Sequence, residues 1–155
     1  MKNNLLKKLL LPAVAVLVVG GCSSSKTEAP PVVDRAVNTL LLSAEVKKDP
    51  AGNVIEMNLT KRPIGNGDLI DIAQHPNLQR LWLTETGITD AGLADLGALQ
   101  QLRVIGLAKT GITDAGLRHL ARIRSLREVW IYPTRVSESA VTELKTALPG
   151  VRVIY

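Results

Sequence analysis

The eight residues TGITDAGL occur twice in this chain of 155 residues, at 86–93 and again at 110–117. Each copy contains an aspartate, Asp90 or Asp114, that follows a threonine and precedes a glycine by two residues. Two hypotheses arise: the aspartates form a duplicated carboxylate site, or the segment is a structural unit that the chain uses repeatedly.

The sequence around both copies repeats with the same period. Blocks of equal length begin at Leu78 and Leu102, a slightly longer block begins at Leu126, and a degenerate block begins at Val54. Each block reads L-x-x-L-x-L and then I-T-D-x-G-L-x-x-L, or a variant of it, and a fixed period in the twenties indicates a solenoid. The pattern resembles the leucine-rich repeat, in the 24-residue class with a helix on the convex side, over residues 54–155. The resemblance implies an α/β solenoid of about four repeats, with a short parallel inner sheet and convex helices.

The apolar residues fit this architecture. Leu81 and Leu83 alternate as the inward positions of a strand, and Leu93 and Leu96 have the spacing of a helix that faces the same core. Residues 33–53 predict an N-terminal cap made of a helix at 36–43 and a hairpin. No comparable polar cap follows Tyr155, so we expect the last strand to have an open edge.

In this frame the repeated segment lies where the chain turns into the convex helix. Thr89 and Thr113 are expected to be N-cap residues whose hydroxyls accept a hydrogen bond from a helix amide. Asp90 and Asp114 then lie in the first turn, where negative charge is favourable, and the following glycines are small where the helix approaches the sheet. A cation site would need more oxygen ligands than the pattern supplies. We therefore predict that TGITDAGL is scaffold and that no metal is bound.

The N-terminus has the pattern of a targeting segment. A basic start is followed by an apolar run at 9–19, two glycines and Cys22, and this run is shorter than the roughly 20 residues that span a membrane. The stretch V-V-G-G-C-S resembles the lipobox, which implies that residues 1–21 are a signal peptide and that Cys22 is lipidated. An ordinary signal peptide with an incidental cysteine is the alternative. Residues 22–32 predict a flexible tether, and Ser23 resembles the pattern that directs lipoproteins to the outer membrane, with the periplasmic or surface face left open.

The inner face of the predicted sheet carries all four aromatic residues. One outward column is predicted to contain Asn58, Trp82, Gly106, Trp130 and Tyr155, and the next to contain Thr60, Thr84, Ala108 and Tyr132. Trp82 and Trp130 would then lie about 10 Å apart across Gly106, with room for a sugar ring or a partner side chain. In the alternative, the two indoles fold over Gly106 and cover it. The candidate partner-binding residues are Arg80, Trp82, Thr84, Gly106, Glu128, Trp130, Tyr132 and Tyr155, although Arg80 is more simply explained by an ion pair with Glu56.

Charge and motif content exclude other classes of function. The net charge of +5 includes Lys2, Lys7 and Lys8, and the rest of the chain has 16 basic and 14 acidic residues, so a nucleic-acid partner is not supported. Two histidines and one cysteine do not form a zinc site, and no catalytic motif occurs. A row of arginines at 103, 127 and 152 is expected to keep the surface solvated, with binding of anionic lipid or glycan as the alternative.

These observations predict a protein with no enzymatic activity and no cofactor. The function they favour is a membrane-anchored binding module that recognises a protein, peptide or glycan on its inner face. The alternative is a structural or assembly protein of the cell envelope that pairs through its open C-terminal edge strand.

Overall fold

The computed structural model describes residues 44–155. The predicted signal peptide, the tether with Cys22, and the cap helix at 36–43 lie outside these residues. None of the helices within 44–155 is both long and apolar enough to cross a membrane.

Short strands and helices alternate along the described chain, after an initial pair of strands. The strands are β1 (Glu45–Lys48), β2 (Val54–Asn58), β3 (Arg80–Trp82), β4 (Val104–Gly106), β5 (Glu128–Trp130) and β6 (Arg152–Ile154). The helices are α1 (Asp68–Ile72), α2 (Asp90–Leu93), α3 (Asp114–Leu120) and α4 (Glu138–Ala147), with a 3₁₀ helix at Asp95–Ala98 after α2. Every strand after β2 is thus reached through one convex segment.

The six strands form one sheet in sequence order. β1 and β2 pair antiparallel, as the predicted hairpin requires, and every later neighbour pairs in parallel. Leu81 is the register partner of Ile105, and Ile105 is the partner of Val129, so one coil of the chain corresponds to one sequence repeat. The predicted α/β fold with a mostly parallel sheet is confirmed.

The core is a single apolar layer between the sheet and the convex helices. It is built mainly from leucine, isoleucine and valine with one methionine, Met57, and contains no buried aromatic side chain within residues 44–155. The inward residues of the three central strands and the helix positions that face them are all at most 1% exposed: Leu81, Ile105, Val129, Leu93, Leu96, Leu117 and Leu120. Burial of this kind contributes about 25 cal/mol per Å² of apolar surface, and no coil buries its apolar side without its neighbours.

The last strand differs from the predicted register. Trp130 pairs with Ile154, so the prediction that Tyr155 shares the column of Trp130 is wrong. Val153 packs against the core beside Val129, which turns Ile154 outward. The fourth block is one residue longer than the others. The inward residue of the strand that follows it, Val153, nevertheless lies one position earlier than this longer block predicts.

Candidate functional site

The aspartates of TGITDAGL bind the next coil of the solenoid. The Asp90 carboxylate accepts hydrogen bonds from the backbone N–H of Thr113 at 2.8 Å and from its hydroxyl at 2.7 Å. The Asp114 carboxylate accepts the same pair from Ser137, at 2.7 Å and 2.8 Å. Each carboxylate therefore joins two coils, and the prediction that the repeated segment is scaffold agrees with these contacts.

The first coil makes the same connection with an amide. Asn66 accepts a hydrogen bond from the Thr89 backbone N–H at 2.9 Å, and its side-chain nitrogen donates to the Thr89 hydroxyl at 2.8 Å. Thr89 occupies the N-cap position of α2, but its side chain makes no capping hydrogen bond, so that part of the prediction is wrong. The hydroxyl instead contacts the preceding coil. Thr113 does accept from the Ala115 N–H, at a long 3.4 Å.

The glycines of the motif make room for these connecting side chains. A Cβ at Gly116 would overlap the Asp90 carboxylate and lie 3.0 Å from Leu93 Cδ1. A Cβ at Gly92 would lie 2.7 Å from Asn66 Oδ1. The expected close approach therefore exists, but it is to the preceding coil and not to the sheet.

The fourth coil has Ala140 where the second and third coils have glycine. A groove of about 200 Å³ lies between α3 and α4 there, lined by Leu117, Ala121, Ala140 and Leu144 among others.

The pKa of Asp114 is consistent with a structural role for its carboxylate. Hydrogen bonds from the backbone N–H and hydroxyl of Ser137 hold the pKa of Asp114 below its ordinary value. No group of three or more His, Cys, Asp or Glu side chains within residues 44–155 is arranged to hold a metal ion. The aspartates are thus occupied in joining coils.

The inner face brings the two tryptophans into contact. The ring centroids of Trp82 and Trp130 lie 6.0 Å apart, with the rings tilted by 60°, which is within the usual range for an edge-to-face pair. The prediction of a gap of about 10 Å is wrong, because Trp82 lies over Gly106. A Cβ at Gly106 would overlap the Trp82 ring and lie 3.5 Å from Thr84 Oγ1. The covering alternative is the observed one, and Gly106 is buried.

Exposed aromatic surface remains at the C-terminal side of this pair. Trp130 is 38% exposed and Tyr132, two residues further on, is 67% exposed. We call Trp82, Trp130 and Tyr132 the aromatic patch. The Trp130 Nε1–H donates to Glu128 at 2.7 Å, which constrains the orientation of the exposed indole. Tyr155 is also exposed, at 61%, but it lies beyond β6 and outside the column of Trp130.

Ion pairs border the N-terminal side of the inner face. The Glu56 carboxylate contacts both Arg80 and Lys47 at 3.1 Å. Burial raises the pKa of Glu56, but the hydrogen bonds and charges of Lys47 and Arg80 outweigh burial and leave the pKa below its ordinary value. The prediction that Arg80 forms an ion pair with Glu56 is confirmed, so its guanidinium already has a partner.

A row of charged residues lies beyond the strand ends and was not predicted from the sequence. Lys61, Glu85 and Lys109 recur with the period of the repeat and have φ of 60°, 56° and 54°, in the left-handed region. Lys109 contacts Glu85 at 2.9 Å, and this hydrogen bond lowers the pKa of Glu85. The recurrence is visible in the sequence, but a positive φ is usually signalled by glycine, and none occurs at these positions.

No protein-family model matches the sequence, and no curated protein matches it. Solved structures with similar chains include an internalin, InlF, from Listeria monocytogenes, with 12% identity over 64% of this chain and a TM-score of 0.45. Another is the structure of PEPR1-AtPEP1, with 14% identity over 77% of this chain and a TM-score of 0.45.

This chain spans 34% of the length of the internalin chain and 24% of the other. Both TM-scores lie below 0.5, so the fold is assigned from the strand order, register and repeat period of this chain itself.

Proposed function

We propose that this chain is a recognition module of the leucine-rich repeat class that binds a protein or peptide through its aromatic patch. A lipid on Cys22 would hold the module at a membrane of the cell envelope. The observation that carries the proposal is the exposure of Trp130 and Tyr132 on the inner face. Large exposed aromatic side chains are enriched at protein interfaces and supply much of their binding energy.

The geometry of the patch favours a macromolecular surface over a sugar ring. Trp82 fills the space above Gly106, so no slot separates the two indoles. The Glu128 hydrogen bond and the contact with Trp82 hold the Trp130 ring in one orientation. A ring held in its binding orientation loses little entropy when a partner arrives. A protein or peptide that presents an apolar side chain to Trp130 and Tyr132 suits this surface.

The direct test is cross-linking of the anchored full-length protein in its own cells. Trp130→Ala and Tyr132→Ala are compared with the wild type and with Ile70→Ala. Ile70 is an apolar residue on α1 that is 54% exposed, so its truncation is a matched control away from the patch. We expect the wild type and Ile70→Ala to capture the same partner, and both patch variants to lose it while keeping the wild-type circular dichroism spectrum. Capture of the partner at the wild-type level by both patch variants would refute the assignment.

The anchor is tested separately, by labelling cells with a fatty acid. The lipobox resemblance supports incorporation of label into the wild-type chain and none into Cys22→Ser. Label that persists in the Cys22→Ser variant would place the modification elsewhere or refute it. Fractionation of the labelled cells would show which membrane holds the protein.

Assembly through an edge strand is the second candidate function. Among residues 44–155, β6 is bordered by β5 alone, and Val153 and Ile154 are only half-buried. An edge of this kind can pair with another chain. Sedimentation of the purified protein over a wide concentration range tests this candidate, and a monomer at every concentration would exclude self-association through β6.

A further inference from the structure

Arginines are stacked on one another at the corner where the chain enters the sheet. The backbone N–H of Arg127 donates to the carbonyl of Arg103 at 2.8 Å, and the N–H of Arg152 donates to the carbonyl of Arg127 at 2.8 Å. The Arg127 guanidinium also donates to the carbonyl of Arg124 at 3.1 Å. We call Arg103, Arg124, Arg127 and Arg152 the arginine strip, and all four are exposed.

The strip lacks the ion pairs that several other cations of the domain make. Arg80, Lys109 and Arg118 each contact a carboxylate within 4.0 Å. Among residues 44–155, no carboxylate lies within that distance of any strip guanidinium. The nearest acid in sequence, Glu128, is hydrogen-bonded to Trp130. The register partner of Arg152 is Glu128, but the two side chains are not within ion-pair distance, so an anion that binds the strip would displace no carboxylate.

We propose that the arginine strip docks the domain onto the phosphate headgroups of an anionic lipid membrane. Arginine binds phosphate with two parallel hydrogen bonds, and neighbouring strands place the strip residues about 4.8 Å apart. The strip is an exposed row, which suits a surface of many phosphates. Overall charge does not account for it, because residues 44–155 contain 14 basic and 12 acidic side chains. The strip does not include the aromatic patch, so this proposal stands or falls independently of the partner site.

The test measures docking in the full chain that carries its N-terminal lipid and is reconstituted into vesicles. The Cys22 thiol is consumed by the lipid, so a fluorophore can be attached selectively at Gln101→Cys, an exposed position beside the strip, and quenched by a headgroup-labelled lipid. The same fluorophore at Ile70→Cys on α1 reports on a surface away from the strip. We expect quenching at position 101 in vesicles of phosphatidylcholine mixed with phosphatidylglycerol, little in pure phosphatidylcholine, and little at position 70 in either.

Two triple variants separate the strip from net charge. Replacing Arg103, Arg127 and Arg152 by glutamine is expected to weaken docking by on the order of a hundredfold at low ionic strength. The matched control replaces Arg80, Lys109 and Arg118 by glutamine, with the same loss of charge and an expected change of no more than a few fold. Equal weakening by both variants, or undiminished docking of the strip variant, would overturn the proposal.

Added salt distinguishes a membrane from a soluble anion. Sodium phosphate and sodium chloride at equal ionic strength are expected to release the domain equally, because both act by screening. Release by phosphate at a much lower ionic strength than by chloride would identify a site for free phosphate and would overturn the membrane assignment.

Discussion

Replacing Gly116 by alanine is a direct test of the connections between coils. A Cβ at this position overlaps the Asp90 carboxylate and lies 3.0 Å from Leu93 Cδ1. The carboxylate must therefore move, and its two hydrogen bonds to Thr113 are weakened or lost. Each bond contributes about 1 kcal/mol, while alanine in place of glycine within a helix returns up to about 1 kcal/mol. We expect a net loss of about 1–2 kcal/mol in the free energy of unfolding.

Urea unfolding followed by circular dichroism measures this loss, with Gly97→Ala as the control. Gly97 lies in the 3₁₀ helix, and a Cβ there meets nothing within 4 Å. The control is expected to equal or exceed the wild type in stability. In an Asp90→Ala background the overlap with the carboxylate is gone, so Gly116→Ala should cost much less there than in the wild type.

Two results would refute the reasoning. One is a Gly116→Ala variant as stable as Gly97→Ala. The other is an equal cost of Gly116→Ala with and without Asp90. The first result would mean that α3 can move away from α2 without cost, and the second would place the cost in the contact with Leu93 and not in the Asp90 carboxylate.

Three further predictions concern single positions. Because Ser137 lowers the pKa of Asp114 below 3.8, the stability that this carboxylate contributes is present above about pH 4 and is lost as pH falls through the lower, folded-state value. An Asp114→Asn variant should keep both hydrogen bonds to Ser137, as Asn66 keeps its two bonds to Thr89. Its urea midpoint should therefore fall less than that of the wild type as the pH is lowered from about 5 to about 2. A pH profile equal to that of the wild type would contradict this. Gly106→Ala should displace the Trp82 ring, change the tryptophan fluorescence and lower stability by about 1–3 kcal/mol, whereas an unaltered emission spectrum would show that the ring does not rest on Gly106. Lys61→Gly should raise stability by about 0.5–1 kcal/mol, because φ of 60° costs a non-glycine residue roughly 1–2 kcal/mol, and a lower urea midpoint would argue against strain at this turn.

The repeat period made the frame of the molecule predictable. Inward positions such as Leu81 and Ile105 follow from alternation and the repeat spacing, and the structure places them in the core. The direction of a short polar side chain does not follow from spacing. Asp90 is equally compatible with capping its own helix and with binding the next coil, and only the stacked coils reveal that Thr113 is its partner.

The sequence predicts which residues form the candidate site but not how their side chains are arranged. Strand alternation placed Trp82 and Trp130 on one face, but an empty position at Gly106 allows either a slot or a covering ring. Rotamer choice decides between them, and the indole of Trp82 gains contact by lying on the glycine. The register of Ile154 was missed because the longer fourth block was expected to shift the last strand by one residue, whereas Ile154 follows Trp130 by the same interval that separates Trp130 from Gly106.

The two identical copies of TGITDAGL also bear on how such a chain changes length. Excision of residues 90–113 would join Thr89 to Asp114, and each remaining junction would keep its partners: Asn66 with Thr89, and Asp114 with Ser137. Recombination between the copies can therefore remove a coil, or add one, without disturbing the contacts between coils. The same excision would remove Gly106 and bring the strands of Trp82 and Trp130 side by side. The contacts between coils therefore leave the number of coils free to vary, whereas the inner face changes whenever a coil is removed or added.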